Sequence, residues 1–365
     1  MTWNVLAHFY PYFEVIERDW DGVLDGALEA ALAVEDEAQL HAVLERLVAQ
    51  LRDGQARVLG PDLWVAPIRL ARVEGKVVVC VAHPSTKLRV GDELVSVGGV
   101  PLGDALATGA KRCSGSGQAV EAALLDEARV TEGPPTEALK LGVRRGGESL
   151  ELVVVRSPER PPRPFAGEGV RVLDSGVYVV DLADVLWPDI AKHLLELAVA
   201  PGVVFDLRRC TSAKIEFLAH LMSRMERREW MYVPRYIYPD QIERTWDSFG
   251  LPVPMAQPSI AGKVAFLIGP GTVGGGETVV GFAHGYELGT LFGAPTAGAN
   301  GNVNMFPVPG GFHVSFTGML VTRLDGEQNH ARGFEPDVAV EATLEGLMAG
   351  RDEVLEAALA HVLGE

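Results

Sequence analysis

Cysteine is scarce in this chain: Cys80, Cys113 and Cys210 are three among 365 residues, odd in number and widely spaced. None belongs to a CxxC pair, so neither a disulfide framework nor a zinc ribbon is indicated. No histidine pair has HExxH spacing, which leaves metal chemistry unsupported and implies no cofactor. Apolar runs long enough to span a bilayer are missing as well. Positive charge is in deficit, with 32 Lys and Arg against 49 Asp and Glu, a formal net charge of −17. Nucleic acid and anionic membranes would be repelled by such a chain, so neither is an expected partner. A signal peptide is also lacking, since Met1-Thr2-Trp3-Asn4 leads straight into a helical pattern. The expected location is therefore cytoplasmic, or periplasmic or secreted for a chain whose leader has been removed. Nothing in the composition sets an oligomeric state.

What is present describes a globular protein, 47% hydrophobic and 22% charged, long enough for two or three domains. Residues 1–60 read as a helical N-terminal unit: Leu24, Leu28, Ala31 and Leu32, then Leu40, Val43, Leu44, Leu47 and Leu51, recur at helical spacing. Asp53-Gly54 closes that unit as a turn. Residues 61–157 alternate short strand patterns (Val77–Val81, Glu93–Val97, Leu139–Val143, Leu150–Val155) with one helix-like stretch at Gly117–Ala128. The proline-rich segment Ser157–Pro164 reads as a linker. Residues 158–365 alternate strands (Gly176–Leu182, Gly202–Leu207, Val264–Ile268, around Leu291, Phe312–Phe316) with helices (Ile190–Ala198, Ile215–Arg224, Glu277–His284). This is the pattern of an α/β layered core, and Arg351–Leu363 closes it as an amphipathic helix docked on that core. Tyr232, Tyr236, Tyr238 and Trp246, with Pro234 and Pro239, suit a loop over a cleft or the packing of a long insertion.

The most informative stretch is Gly271-Thr272-Val273-Gly274-Gly275-Gly276-Glu277-Thr278, set between the strand pattern Val264–Gly269 and an apolar helical run. A strand, a tight turn and a helix start form a pedestal for an exposed nucleophile beside backbone N–H donors. Other blocks accompany it in order: His8-Phe9-Tyr10-Pro11-Tyr12-Phe13, Asp53-Gly54-Gln55, Val90-Gly91-Asp92, Val204-Phe205-Asp206-Leu207-Arg208, Pro295–Asn304, Pro309–Phe312, Phe316–Met319 and Gly333-Phe334-Glu335-Pro336-Asp337. Together they resemble the tail-specific (C-terminal-processing) serine peptidases and their tricorn-like relatives, over nearly the whole chain. The resemblance implies an α/β fold with a helical N-terminal unit, a PDZ-like β-rich domain at 61–157 and a Clp/crotonase-like ββα spiral core. The Gly-Leu-Gly-Phe type of carboxylate-binding loop is not seen, so the PDZ-like domain suits an interdomain role as well as peptide capture.

In that family the turn reads Ser-x-x-Glu, the base is a later lysine or an N-terminal histidine, and the glycine of Asp-Leu-Arg-Gly lends an oxyanion N–H. Counting back three from Glu277 gives Gly274, which has no side chain to attack with. The Thr296–Asn304 block holds no lysine, and Gln55 stands at the histidine position. An amide cannot accept and hold a proton near neutral pH. Arg209 stands at the oxyanion glycine, where a glycine-only backbone conformation would be costly. The resemblance with its three gaps implies the peptidase fold without ordinary serine peptidase chemistry.

Three readings remain open from sequence. One is a binding module for a peptide or small apolar ligand; retinoid-binding relatives of the fold set that precedent. The second is an enzyme repurposed for a small molecule, with Cys210 as a thiol nucleophile or His330 as acid–base group. The third is a serine-type peptidase with atypical catalytic residues. Against the second, Cys210 also reads as a small buried residue and His330 as an exposed loop histidine. The expected ligand site combines Gly274, Gly275 and Gly276, taken as a surface-facing turn with free N–H groups, with Asn300, Asn302 and Asn304, whose alternation would align them on one face. Each has a plainer account, a degenerate loop and a self-bonded turn. Glu277 reads as a structural group at the helix start.

Overall fold

A computed structural model describes residues 1–60, 63–165, 167, 169–236 and 244–364. Tyr238 and Pro239 of the aromatic stretch lie outside the described residues. The C-terminal core is a six-stranded sheet ordered Val338–Ala339, Thr290–Gly293, Lys263–Ile268, Gly202–Asp206, Tyr178–Asp181 and Val170–Val172, parallel except for the last pair. Side-chain alternation splits its apolar strands into two buried faces. Val203, Phe205, Val264, Phe266 and Ile268 share one face with Val279, Val280 and Phe282 of the helix Gly275–Gly285. Val204, Ala265 and Leu267 meet Leu355, Ala358 and Val362 of the closing helix Glu353–Leu363 on the other.

The β-rich unit is a second antiparallel sheet ordered Ile68–Val73, Lys76–Ala82, Glu93–Val97, Ala138–Arg145 and Glu148–Val155, covered by helices Leu102–Ala110 and Gly117–Leu125. Ile68–Val73 lies at its edge. The N-terminal helices Thr2–Phe9, Leu24–Leu32 and Glu37–Ala49 do not close a core alone. Tyr10, Tyr12, Leu47 and Leu51 pack with Phe312, Val314 and Phe316, and the strand Arg57–Leu59 pairs antiparallel with Phe312–Thr317 beside Val303–Val308.

Three sequence expectations change. The helix expected over 215–224 is a single 3₁₀ segment, Glu216–His220, because the carbonyls of Ala219 and His220 accept from Ala256 and Ile260 rather than from the next helical turn. The 190–198 helix is two short ones, Trp187–Ala191 and Leu194–Val199, broken at His193. The loop expected around Tyr232 and Trp246 is an antiparallel ladder of Met231–Tyr236 with Arg244–Phe249, whose Pro234 lies beyond the two residues that Leu320–Val321 pairs.

Because Phe312 belongs to the core that the N-terminal helices need, Phe312→Ala should cost roughly 3–5 kcal/mol. Urea unfolding should show it as a lowered midpoint at unchanged slope, with the N-terminal tryptophans Trp3 and Trp20 reporting the same transition as the rest of the chain.

Candidate active site

Gly274 sits at the junction of strand Lys263–Ile268 and helix Gly275–Gly285 with φ +56° and ψ −118°, a conformation that only glycine adopts without strain. A Cβ placed there would lie 3.2 Å from Gln55 Oε1 and 3.2 Å from the Thr211 carbonyl oxygen. The two positions read as degenerate nucleophile and base therefore face each other, although 219 residues of chain separate them. Gln55 is held in place: its Nε2 donates to Gly301 O (3.1 Å) and Thr317 Oγ1 (3.0 Å), which leaves Oε1 turned toward Gly274. Buried Asp53 supports this arrangement by accepting from Gln55 N (3.0 Å), Thr317 N (2.7 Å) and Thr317 Oγ1 (2.9 Å).

The N–H groups of the three glycines at the helix start are occupied. Gly274 donates to Ala299 O (2.7 Å), Gly275 to Thr211 O (3.1 Å) and Gly276 to Val273 O (3.0 Å). The glycine run is packed rather than surface-facing. A Cβ at Gly275 would meet Ala213 N at 1.9 Å, and one at Gly276 would meet Cys210 O at 2.2 Å. These glycines admit the chain's own segment Cys210–Ala213, so the ligand-accepting turn inferred from sequence is corrected: its donors are spent inside the protein.

Glu277 is fully buried and receives four donors: Thr296 Oγ1, Gly298 N (2.6 Å), Ala299 N (2.7 Å) and Asn329 Nδ2 (2.9 Å). Burial pushes its carboxyl pKa up, against the pull of those four bonds. Asn300 is also buried and exchanges bonds with Thr278, whereas Asn302 and Asn304 are exposed, the latter on strand Val303–Val308. The three asparagines thus form no common wall, because the chain turns at Gly301 (φ +133°) before the strand begins.

Arg209 avoids the left-handed region, so its place needs no glycine. Its guanidinium pairs with Asp181 and, at 2.7 Å, with Asp184. Cys210 has no exposed surface and sits in the main core, its thiol bonded to Ser212 O (3.3 Å) and its pKa raised by burial. Neighbouring arginines do not activate it, since Arg208 is taken by Asp206 and Asp352. His330 is not an exposed loop residue either. It is 1% exposed, stacks on Tyr12 at 3.7 Å, and gives its Nε2–H to Tyr10 Oη at 2.8 Å, while that hydroxyl donates to Leu51 O. Neither residue is placed to act on a substrate.

Asp53, Thr317 and Ala299 are the site residues that sequence reading passed over. Asp53-Gly54 carries a turn signal, and an aspartate two residues before Gln55 is suited to bond its backbone N–H. The link to Thr317 is a tertiary contact with no local signature.

His330 gives a pH test. Among the described residues its Nδ1 is buried without a partner, and burial lowers its pKa from the ordinary 6.5 to about 4. Between those values the unfolded chain binds a proton that the folded chain refuses, so stability falls as pH drops from about 6.5 to about 4, by about 3 kcal/mol. Urea midpoints across this range should fall more steeply for the native protein than for His330→Gln; equal slopes would contradict the assignment.

Comparison with known proteins follows the same lines. Peptidase family S41 matches residues 179–340. Among solved structures, mature CPAF complexed with lactacystin superposes with TM-score 0.79 at 16% identity, covering 99% of this chain and 96% of that one. The tricorn protease gives TM-score 0.52 at 12% identity over 100% of this chain and 36% of that one. Identities this low show a shared fold. No curated protein matches. With its parallel sheet, its strand–turn–helix at Gly274 and the loops gathered by Glu277, this chain is similar over residues 179–340 to Peptidase family S41 and shares the fold of mature CPAF.

Proposed function

We propose that this chain is a tail-specific peptidase homologue that performs no serine peptidase chemistry and holds an extended peptide between its β-rich domain and its core. The observation that carries the first half is the environment of Gly274. Gly274 itself offers no nucleophilic atom, the group facing it is a carboxamide, and the Gly274 and Gly275 N–H groups are bonded to Ala299 and Thr211. Serine-type acyl transfer at this turn needs both a nucleophile and a base.

The second half moves the ligand away from the glycine turn. A cavity of about 830 Å³ lies at the carboxyl ends of the parallel strands, bounded by 206–209, 268–271, 293–295 and 340–342. Ligands of open α/β sheets collect at that end. Its opposite wall is the edge strand Ile68–Val73 and the helix Gly117–Leu125. Among the described residues that strand pairs only with Lys76–Ala82, leaving its outer backbone groups available for strand addition. Leu70, Ala122, Leu125, Phe165, Ile268 and Val340 supply apolar surface. Arg163 and Arg208, which also line it, are neutralised by Asp126 and by Asp206 with Asp352. An extended, largely apolar peptide suits those walls better than a charged one.

The protein should leave unfolded casein intact and take up no fluorophosphonate. Gly274→Ser alone should remain inactive, because a hydroxyl without a proton acceptor is a weak nucleophile, and should cost about 1–3 kcal/mol for a side chain at that φ. Stoichiometric labelling of the native chain at a serine beside the turn would defeat the first half. For the second, Ala122→Trp should weaken binding of labelled apolar peptides at least tenfold in fluorescence anisotropy while the melting temperature holds. Unchanged binding would place the peptide elsewhere.

A further inference from the structure

The β-rich sheet has two edges, Ile68–Val73 beside the large cavity and Glu148–Val155 on the far side. The second is eight residues long, with no proline or lysine and no bulge in its ladder with Ala138–Arg145. Edges of that length are ordinarily blunted, because a row of unpaired N–H and C=O groups is a template for another strand. Most other described sheet edges are blunted in that way. Arg57–Leu59, Val170–Val172, Leu320–Val321 and Val338–Ala339 are short, and Pro307 interrupts Val303–Val308.

Which groups of Glu148–Val155 are free follows from its ladder. Arg156 N donates to Glu137 O (3.3 Å), so that pair is hydrogen-bonded. Alternation then turns the backbone of Leu150, Leu152 and Val154 toward Ala138–Arg145. Lys140 O agrees, since it faces the opposite neighbour and accepts from Gly98 N (2.8 Å). The backbone groups of Ser149, Glu151, Val153 and Val155 therefore point outward, and among the described residues nothing bonds them. The 3₁₀ turn Pro84–Thr86 comes near the strand but spends Ser85 N, Thr86 N and Thr86 Oγ1 on His83. The side chains of the outward residues are exposed, Val153 at 60% and Val155 at 56%, while Leu150, Leu152 and Val154 face the core of the unit.

We propose that this edge is a homodimer interface, in which Glu148–Val155 pairs antiparallel with the same strand of a second copy. The strand's own sequence selects that occupant. A two-fold axis at Leu152 sets Ser149 opposite Val155 of the partner subunit and Glu151 opposite Val153 of the partner subunit, so every outward backbone group is paired. On the core face Leu150 meets Val154 of the partner subunit and Leu152 meets Leu152 of the partner subunit, which carries the apolar core across the junction. The neighbouring registers fail. An axis at Glu151 puts that carboxylate directly opposite Glu151 of the partner subunit, a destabilising like-charge pair. An axis at Val153 sets Ser149 opposite Ser157 of the partner subunit, and the Ser157 N–H is already given to Val65 O (2.9 Å). Within each copy Lys140 balances Glu151 at 3.1 Å, so the chain's net charge of −17 is not concentrated at the junction. Both Ile68–Val73 edges lie at the ends of the joined sheet, and the dimer neither uses nor blocks the peptide cleft.

Sedimentation velocity of the full chain over a wide range of concentration tests this pairing. The expected result is a reversible monomer–dimer equilibrium. Val153→Pro removes an outward N–H that no strand of the same chain uses, and should weaken association at least tenfold. Val153→Lys keeps that N–H, sets an ammonium opposite Glu151 of the partner subunit, and should retain the dimer. A chain that stays monomeric, a dimer indifferent to Val153→Pro, or one that Val153→Lys dissociates would overturn the proposal. Hydrogen exchange on the native chain needs no variant to fold: the amides of Ser149, Glu151, Val153 and Val155 should become protected as concentration rises. Exchange there that ignores concentration would overturn the proposal as well.

Discussion

The carboxylate of Glu277 is the interaction on which the rest of the site depends. Taking a carboxylate wholly out of water is tolerated only where its oxygens are met by donors. Here all four donors come from one neighbourhood, Thr296, Gly298 and Ala299 on one loop and Asn329 on another. Glu277 lies on the first turn of the helix Gly275–Gly285, so satisfying it fixes those loops against the helix start. Ala299 O is thereby set 2.7 Å from Gly274 N. The sharp turn that would display a nucleophile is thus maintained by a buried acid three residues along, which explains how the turn keeps its shape with glycine at its apex.

The absence of a Cβ at Gly274 and at the two glycines after it sets what the neighbouring backbone can do. With no Cβ on Gly275 and Gly276, the segment Cys210–Ala213 settles onto the helix start, and Thr211 O takes the N–H that would otherwise point into a site. A peptide N–H left unpaired in this buried setting would cost more than the bond returns, so closure is the favoured outcome once no ligand oxygen competes. Cys210 belongs to this closure: its carbonyl lies over Gly276 and its thiol points into the core. The same packing that makes the glycines necessary makes the cysteine inert.

Much of the fold was legible in the sequence. Apolar periodicity and flanking turns are local signals, and they mark Glu93–Val97 to the residue and Val264–Ile268 and Leu139–Val143 to within two residues at each end. The facing of Gln55 and Gly274 is implied by the family resemblance, and in the fold a Cβ placed on Gly274 would lie 3.2 Å from Gln55 Oε1. The sequence misled wherever an answer depended on what a residue packs against. His330 sits in a polar loop by composition, yet it is buried by Tyr10 and Tyr12 from the far end of the chain. Asn300, Asn302 and Asn304 alternate as a strand should, but the strand starts at Val303, after the turn at Gly301. The glycine run carried no sign of whether a ligand or the protein's own backbone would fill the space it leaves.

One structural element joins the closed turn to the open cleft. The helix Gly117–Leu125 forms a wall of the large cavity, and the residues at its start hold the loops around Gly274: Ser116 Oγ donates to Ala297 O (2.7 Å), and Gln118 Nε2 donates to Thr296 O (2.9 Å) and Arg332 O (2.7 Å). Ser114 Oγ accepts from Asp53 N (2.9 Å), two residues from Gln55. At the other end Asp126 grips Arg69 and Arg163, and Glu127 grips Arg57. These bonds run from the β-rich domain to both the core and the N-terminal unit, so a ligand that shifts this helix must strain all three. Docking of that kind explains how the β-rich unit shapes the large cavity: it contributes a fixed wall, and the carboxyl ends of the parallel strands contribute the floor.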